Sequence, residues 1–117
     1  MNAAVILGGV LVVAFGVLGT AKLAAVPAMR ARADHVGFSV AAYRRIGGLE
    51  ILAVTGLLVG LAIPIVGALA AVGLVLLLAG AVITHLRNGD GIREIAPALV
   101  LGVVAAAFVI VVVGGLG

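Results

Sequence analysis

The sequence predicts an all-α integral membrane protein, in which a single domain over residues 1–117 forms a bundle of four transmembrane helices. Of its residues, 66% are hydrophobic and only 9% are charged, and the charges are confined to two segments, 22–50 and 85–94. Soluble domains are about half apolar and about a quarter charged. A chain this short cannot bury such an apolar excess inside itself. We therefore expect lipid to surround the domain.

Three long uncharged runs define the four spans. Residues 2–21 and 95–117 each hold one span. The run 51–84 would measure about 51 Å as one helix, well beyond a hydrocarbon core of about 30 Å, so it must hold two. Pro64, with Gly60 and Gly67 on either side, places the turn near residues 63–67. The predicted spans are about 2–23, 43–63, 67–86 and 94–115, with loops 24–42 and 87–93 on one side.

Every basic side chain lies on that same side of the membrane. Positive charge near the ends of spans marks the cytoplasmic face, which puts both termini outside and both charged loops inside. The N-terminal run has no basic region before it, which argues against a cleaved signal peptide. The net charge of +3 then indicates contact with anionic inner-leaflet lipids rather than nucleic acid. The predicted headgroup contacts are Arg30, Arg32, Arg44, Arg45, Arg87 and Arg93.

Local signals refine the helices. Residues 28–35 predict a short interfacial helix in the first inner loop. Ser39 is a favourable N-cap, which would start the second span near Val40. Gly56 and Gly60 stand at the spacing that lets membrane helices approach closely. This glycine pair predicts either packing inside the bundle or the face of a homodimer.

Three ionisable side chains lie at the cytoplasmic ends of spans: Lys22 ends the first, Glu50 lies early in the second and His85 closes the third. A carboxylate at the depth of Glu50 is costly in lipid, so it should face the bundle. All three lie at similar depth, and we expect them to converge on one polar site. Such a site suits ligand binding or acid–base work, with Glu50 and His85 as catalytic candidates. The structural alternative is that Lys22 merely pairs with Glu50 and His85 is an interfacial residue.

The sequence lacks the residues and motifs of several other kinds of functional site. The chain has no cysteine, which excludes thiol chemistry, disulfides and iron–sulfur ligation by its own residues. Asp34 and His35 could join His85 and Asp90, but no metal-binding spacing connects them, so we predict no metal site. No phosphate-binding loop or nucleophile elbow occurs.

Three segments carry a family resemblance: residues 19–23 (GTAKL), 45–51 (RIGGLEI) and 80–90 (GAVITHLRNGD). In order and spacing the chain resembles the DoxX-like family of small membrane proteins over nearly its whole length. The resemblance implies a four-helix bundle in the bacterial plasma membrane that works as a membrane partner of redox or stress-protection proteins. Thiol chemistry found among wider relatives is not implied here, because this chain lacks cysteine.

The resulting functional hypothesis is a site of Lys22, Glu50 and His85 that binds a small amphipathic molecule such as a quinone or lipid. No cofactor other than a quinone is indicated, and a homo-oligomer or a redox protein could be a partner. One alternative is a membrane enzyme with Glu50 as general acid or base on an epoxide or isoprenoid. Another is a helper subunit without a ligand, whose three polar side chains only lock the helices.

Overall fold

The computed structural model describes residues 2–116, which form five helices. Four are long: α1 (Ala3–Leu23), α3 (Val40–Val59), α4 (Pro64–Arg87) and α5 (Ile92–Leu116). The fifth, α2 (Pro27–His35), is the short helix that the sequence predicts in the first inner loop. The described chain is therefore all-helical, as predicted.

Helix boundaries follow local chemistry. Ser39 caps α3 as predicted, because its hydroxyl oxygen accepts a hydrogen bond from the Ala42 amide at 3.0 Å. The predicted second span, 43–63, is displaced: α3 already ends at Val59 and the turn occupies residues 60–63. Pro64 is the first residue of α4 instead of lying in the turn. Proline has no amide hydrogen, and the first helical position needs none.

The four long helices pack as a ring in which α1 contacts α3 and α5, and α4 contacts the same two helices. Their shared core holds Leu11 and Phe15 of α1, Leu57 of α3, Leu74 of α4 and Phe108 of α5. Large apolar side chains also cover the outside of the ring, which is the distribution expected of a protein dissolved in lipid. The molecule is 43 Å long, close to the thickness of a bilayer with its headgroups.

Length and hydropathy support three of the four predicted spans. Among the described residues, α1, α4 and α5 are long and apolar enough to cross a membrane. α3 is not, because Arg44, Arg45 and Glu50 all lie within its 20 residues.

The Gly56 and Gly60 pair serves packing inside the bundle. A Cβ atom added at Gly60 would lie 2.6 Å from the Cα atom of Gly67, and one added at Gly56 would lie 2.8 Å from the Cβ atom of Ala70. Both neighbours belong to α4. The pair therefore lets α3 approach α4, and this face is not free to form a homodimer.

Candidate functional site

α1 and α3 approach each other closely at one end of the molecule, where each carries a glycine three residues before an ionisable side chain. These are Gly19 and Lys22 on α1, and Gly47 and Glu50 on α3. A Cβ atom added at Gly47 would lie 2.7 Å from the Cβ atom of Lys22 and 2.8 Å from the carbonyl oxygen of Gly19. Neither contact leaves room for a larger residue. The two glycines thus bring the backbones together and place the following charges opposite each other.

Lys22 and Glu50 form a buried ion pair. The Nζ atom of Lys22 lies 2.5 Å from Oε1 of Glu50, and only 2% of Glu50 is exposed. The ammonium group also lies 5.2 Å from the ring centroid of Tyr43, within the range of a cation–π contact. The other carboxylate oxygen, Oε2 of Glu50, is buried and has no hydrogen-bond partner. The Glu50 carboxylate therefore has one hydrogen-bonded oxygen and one oxygen without a hydrogen-bond partner.

A narrow crevice reaches Lys22 from the segment between α1 and α3. Its lining residues are Lys22, Ala25, Met29, Arg30, Val40 and Tyr43. The crevice has no room for a water molecule. α2 forms one of its walls, because Met29 is buried and α2 packs on α3. A ligand would reach Lys22 by this route only if α2 moved.

His85 is hydrogen-bonded to Asp90 and not to the Lys22–Glu50 pair, with which the sequence predicts it to converge. Its Nδ1 atom lies 2.7 Å from Oδ2 of Asp90, while Nε2 of His35 lies 2.8 Å from Oδ1 of the same carboxylate. Asn88 donates hydrogen bonds to Oδ1 of Asp90 and to the carbonyl oxygen of His35, both at 3.1 Å. We call His35, His85, Asn88 and Asp90 the aspartate cluster. It ties the end of α2 to the end of α4 and to the turn before α5.

The structure therefore brings two of the three predicted site residues together. His85 has no hydrogen bond to Lys22 or Glu50, since its described partner is Asp90. Sequence reasoning had grouped His35, His85 and Asp90 only as a metal site to be discounted, and missed that one carboxylate holds both rings. In the part of the chain that the structure describes, no group of three His, Cys, Asp or Glu residues is arranged to hold a metal ion.

Charge is concentrated at this same end of the molecule. The ends of α1 and α4 and the starts of α3 and α5 meet here. The six arginines expected at lipid headgroups are all exposed: Arg30, Arg32, Arg44, Arg45, Arg87 and Arg93.

The opposite end holds an apolar groove of about 540 Å³, lined chiefly by the start of α1, the end of α3 and the end of α5. That groove does not adjoin Lys22 or Glu50.

Comparison with known proteins yields one match. The family model described as the DoxX-like family matches residues 6–108. No curated protein and no solved structure matches the chain. The matched region contains both members of the ion pair and the whole aspartate cluster.

Replacing Gly47 by alanine should separate α1 from α3. The added methyl group would meet the Cβ atom of Lys22 and the backbone of Gly19, and overpacking of this kind costs about 1–3 kcal/mol. Thermal unfolding in detergent should show a lower melting temperature. Gly48→Ala is the matched control, since its nearest neighbour would be Leu23 at 3.9 Å. Equal melting temperatures for the two variants would contradict the close approach.

The aspartate cluster should make stability depend on pH. The hydrogen bond from His85 is the main cause that lowers the pKa of the Asp90 carboxyl, aided by His35 and Asn88 and opposed by partial burial. A lowered pKa stabilises the fold above the ordinary range of aspartate, about pH 4, and this stabilisation is lost as the pH falls through the lowered pKa. The difference in melting temperature between the wild type and Asp90→Asn should therefore be full at neutral pH and shrink below about pH 4.

The control for this experiment is Asp34→Asn, which removes an exposed charge from α2 outside the cluster. The melting temperature of Asp34→Asn should stay close to that of the wild type at every pH. A difference in melting temperature between the wild type and Asp90→Asn that does not change with pH would contradict the lowered pKa of Asp90.

Proposed function

The chain belongs to the DoxX-like family, and on this premise we propose that it is a four-span protein of the bacterial plasma membrane with both termini outside. α3 would then also cross the membrane, as the second of the four spans. Its 20 residues measure about 30 Å, enough to cross the hydrocarbon core. Arg44 and Arg45 lie within its first two turns, from where their long side chains can extend to the headgroups, and Glu50 is paired and turned into the bundle. None of its charges then has to face lipid chains.

The orientation rests on the distribution of charge. All basic side chains lie at the end that holds the aspartate cluster, and positive charge in short loops is retained on the cytoplasmic side. The six exposed arginines at that end would contact anionic headgroups of the inner leaflet. This arrangement would fix the depth of the Lys22–Glu50 pair just beneath the headgroups.

We propose that the pair binds the polar head of a small amphipathic molecule, such as a quinone or lipid, and that the protein acts as a membrane partner of an oxidoreductase. The observation that carries the ligand site is the unpartnered Oε2 atom of Glu50. Buried polar atoms almost always have a hydrogen-bond partner, and an exception calls for one. An ionisable group inside a membrane is also a functional candidate by default.

The geometry changes the role proposed for His85. Because Asp90 holds its ring, the ligand head would contact Lys22 and Glu50, and His85 would act as a positioning residue. The aspartate cluster fastens the end of α2, and α2 walls the crevice that leads to Lys22. Release of His35 from Asp90 would then free the end of α2 and so allow access to Lys22.

The same unpartnered oxygen supports a second candidate, a membrane enzyme with Glu50 as general acid or base on an epoxide or isoprenoid. A buried carboxylate with one free oxygen is suited to proton transfer, given a substrate within hydrogen-bonding reach. A ligand-free helper subunit is favoured by a different observation, the absence of room for even a water molecule in the crevice.

The ligand site is tested by native mass spectrometry on protein extracted directly from its own membrane. The wild type should retain a discrete small-molecule mass, and Glu50→Gln should lose it, because the amide no longer balances Lys22. Glu94→Gln is the control, since Glu94 is an exposed carboxylate in the first turn of α5. It should retain the same mass as the wild type. Ordinary phospholipid alone on all three proteins would contradict a tight ligand site.

A further inference from the structure

We infer that the head of the ligand is a hydroxyl group, as in a phenol, a quinol or an alcohol, and not a bare carbonyl. This inference rests on the proposed ligand site and adds the chemical class of what it binds. The Lys22–Glu50 pair leaves hydrogen-bonding capacity unused on both of its members.

An ionised carboxylate can only accept hydrogen bonds. Oε1 of Glu50 accepts from Lys22, and Oε2 has no donor within the described structure. Gly47 and Gly19, which lie where α1 and α3 approach, have no side chain that could donate, and no described side chain, Tyr43 included, donates to Oε2. His85, the nearest candidate donor in the sequence argument, is held by Asp90. The missing partner must therefore bring its own hydrogen.

The ammonium group of Lys22 has the complementary capacity. It carries three N–H donors, of which one is directed at Oε1 of Glu50. A hydroxyl oxygen can accept from a second of these while its hydrogen is donated to Oε2. One hydroxyl thus satisfies both members of the pair. The carbonyl oxygen of a quinone or ketone could accept from Lys22, but it would leave Oε2 buried and unsatisfied.

This difference should produce strong selection. A site built around a buried hydrogen-bonding group rejects an analogue that lacks the matching hydroxyl, because the site's own group is then left unpaired. For a redox-active ligand, the same rule predicts that the site retains the quinol form and releases the quinone.

The test uses a pair of probes that differ in whether their oxygen carries a hydrogen or a methyl group. 4-Hexylphenol and 4-hexylanisole share a ring and an alkyl chain, and the methyl ether has no O–H to donate. Tyr43 is the single tyrosine of the chain, and its ring lies beside the Lys22 ammonium. The full-length protein, labelled with tyrosine that carries ¹³C only at Cζ and placed in nanodiscs of phosphatidylethanolamine and phosphatidylglycerol, therefore gives one ring signal that reports on the site.

The phenol should shift this signal to saturation at a concentration at least about tenfold below that of the ether, both expressed per lipid. Glu50→Gln should reduce the preference to less than about twofold, and Glu94→Gln should preserve it. The wild-type ratio decides the question even if Glu50→Gln fails to fold.

Two results would overturn the inference, and they differ in what else they overturn. Equal saturation by both probes, with both weakened by Glu50→Gln, would refute the hydroxyl preference and leave the ligand site standing. No saturable shift with either probe in the wild-type protein would refute both the hydroxyl preference and the proposed site.

Discussion

The ion pair between Lys22 and Glu50 is the interaction on which the rest of the structure depends. Two charges removed from water lose hydration that is worth several kcal/mol each, and only close pairing offsets that loss. Close pairing in turn requires α1 and α3 to approach at Gly19 and Gly47, where an added Cβ atom would be crowded at Gly19 and would clash at Gly47. The pair is thus both the most costly feature of the bundle and the constraint that sets how two of its helices cross.

The pair also explains why the two ends of the molecule differ. The end that holds it carries all the basic side chains, the aspartate cluster and the short helix α2. The opposite end closes through an uncharged turn, with Gly60 against Gly67, and exposes only an apolar groove. The buried carboxylate at the charged end keeps an oxygen without a hydrogen-bond partner, and this is the place where we propose that a polar ligand head binds. The aspartate cluster fastens the end of α2, and α2 forms one wall of the crevice at Lys22.

Much of the fold could be predicted from the sequence, because hydropathy and proline report directly on spans and turns. The short helix α2 and the Ser39 cap follow from local chemistry in the same way, whereas the spacing of Gly56 and Gly60 left open whether they pack inside the bundle or form a dimer face. The site could be predicted only in part. The depths of Lys22, Glu50 and His85 follow from their distances to the ends of spans, but hydropathy does not fix how each helix is rotated about its axis. The turn after α4 folds Asp90 back onto His85, with the Asp90 amide donating to the His85 carbonyl oxygen at 3.0 Å. The same carboxylate also holds His35, from a helix whose position the sequence left open.

The most direct test of this account is a double-mutant cycle on the pair, with the free energy of unfolding measured in detergent micelles for the wild type, Lys22→Met, Glu50→Leu and the double variant. Removing one partner of a buried ion pair typically costs about 3–5 kcal/mol, whereas replacing both with apolar groups is close to neutral. The account predicts that the double variant is more stable than Lys22→Met, with a coupling energy of at least about 2 kcal/mol. Effects that add to within about 0.5 kcal/mol would show that the two charges act independently and would contradict it.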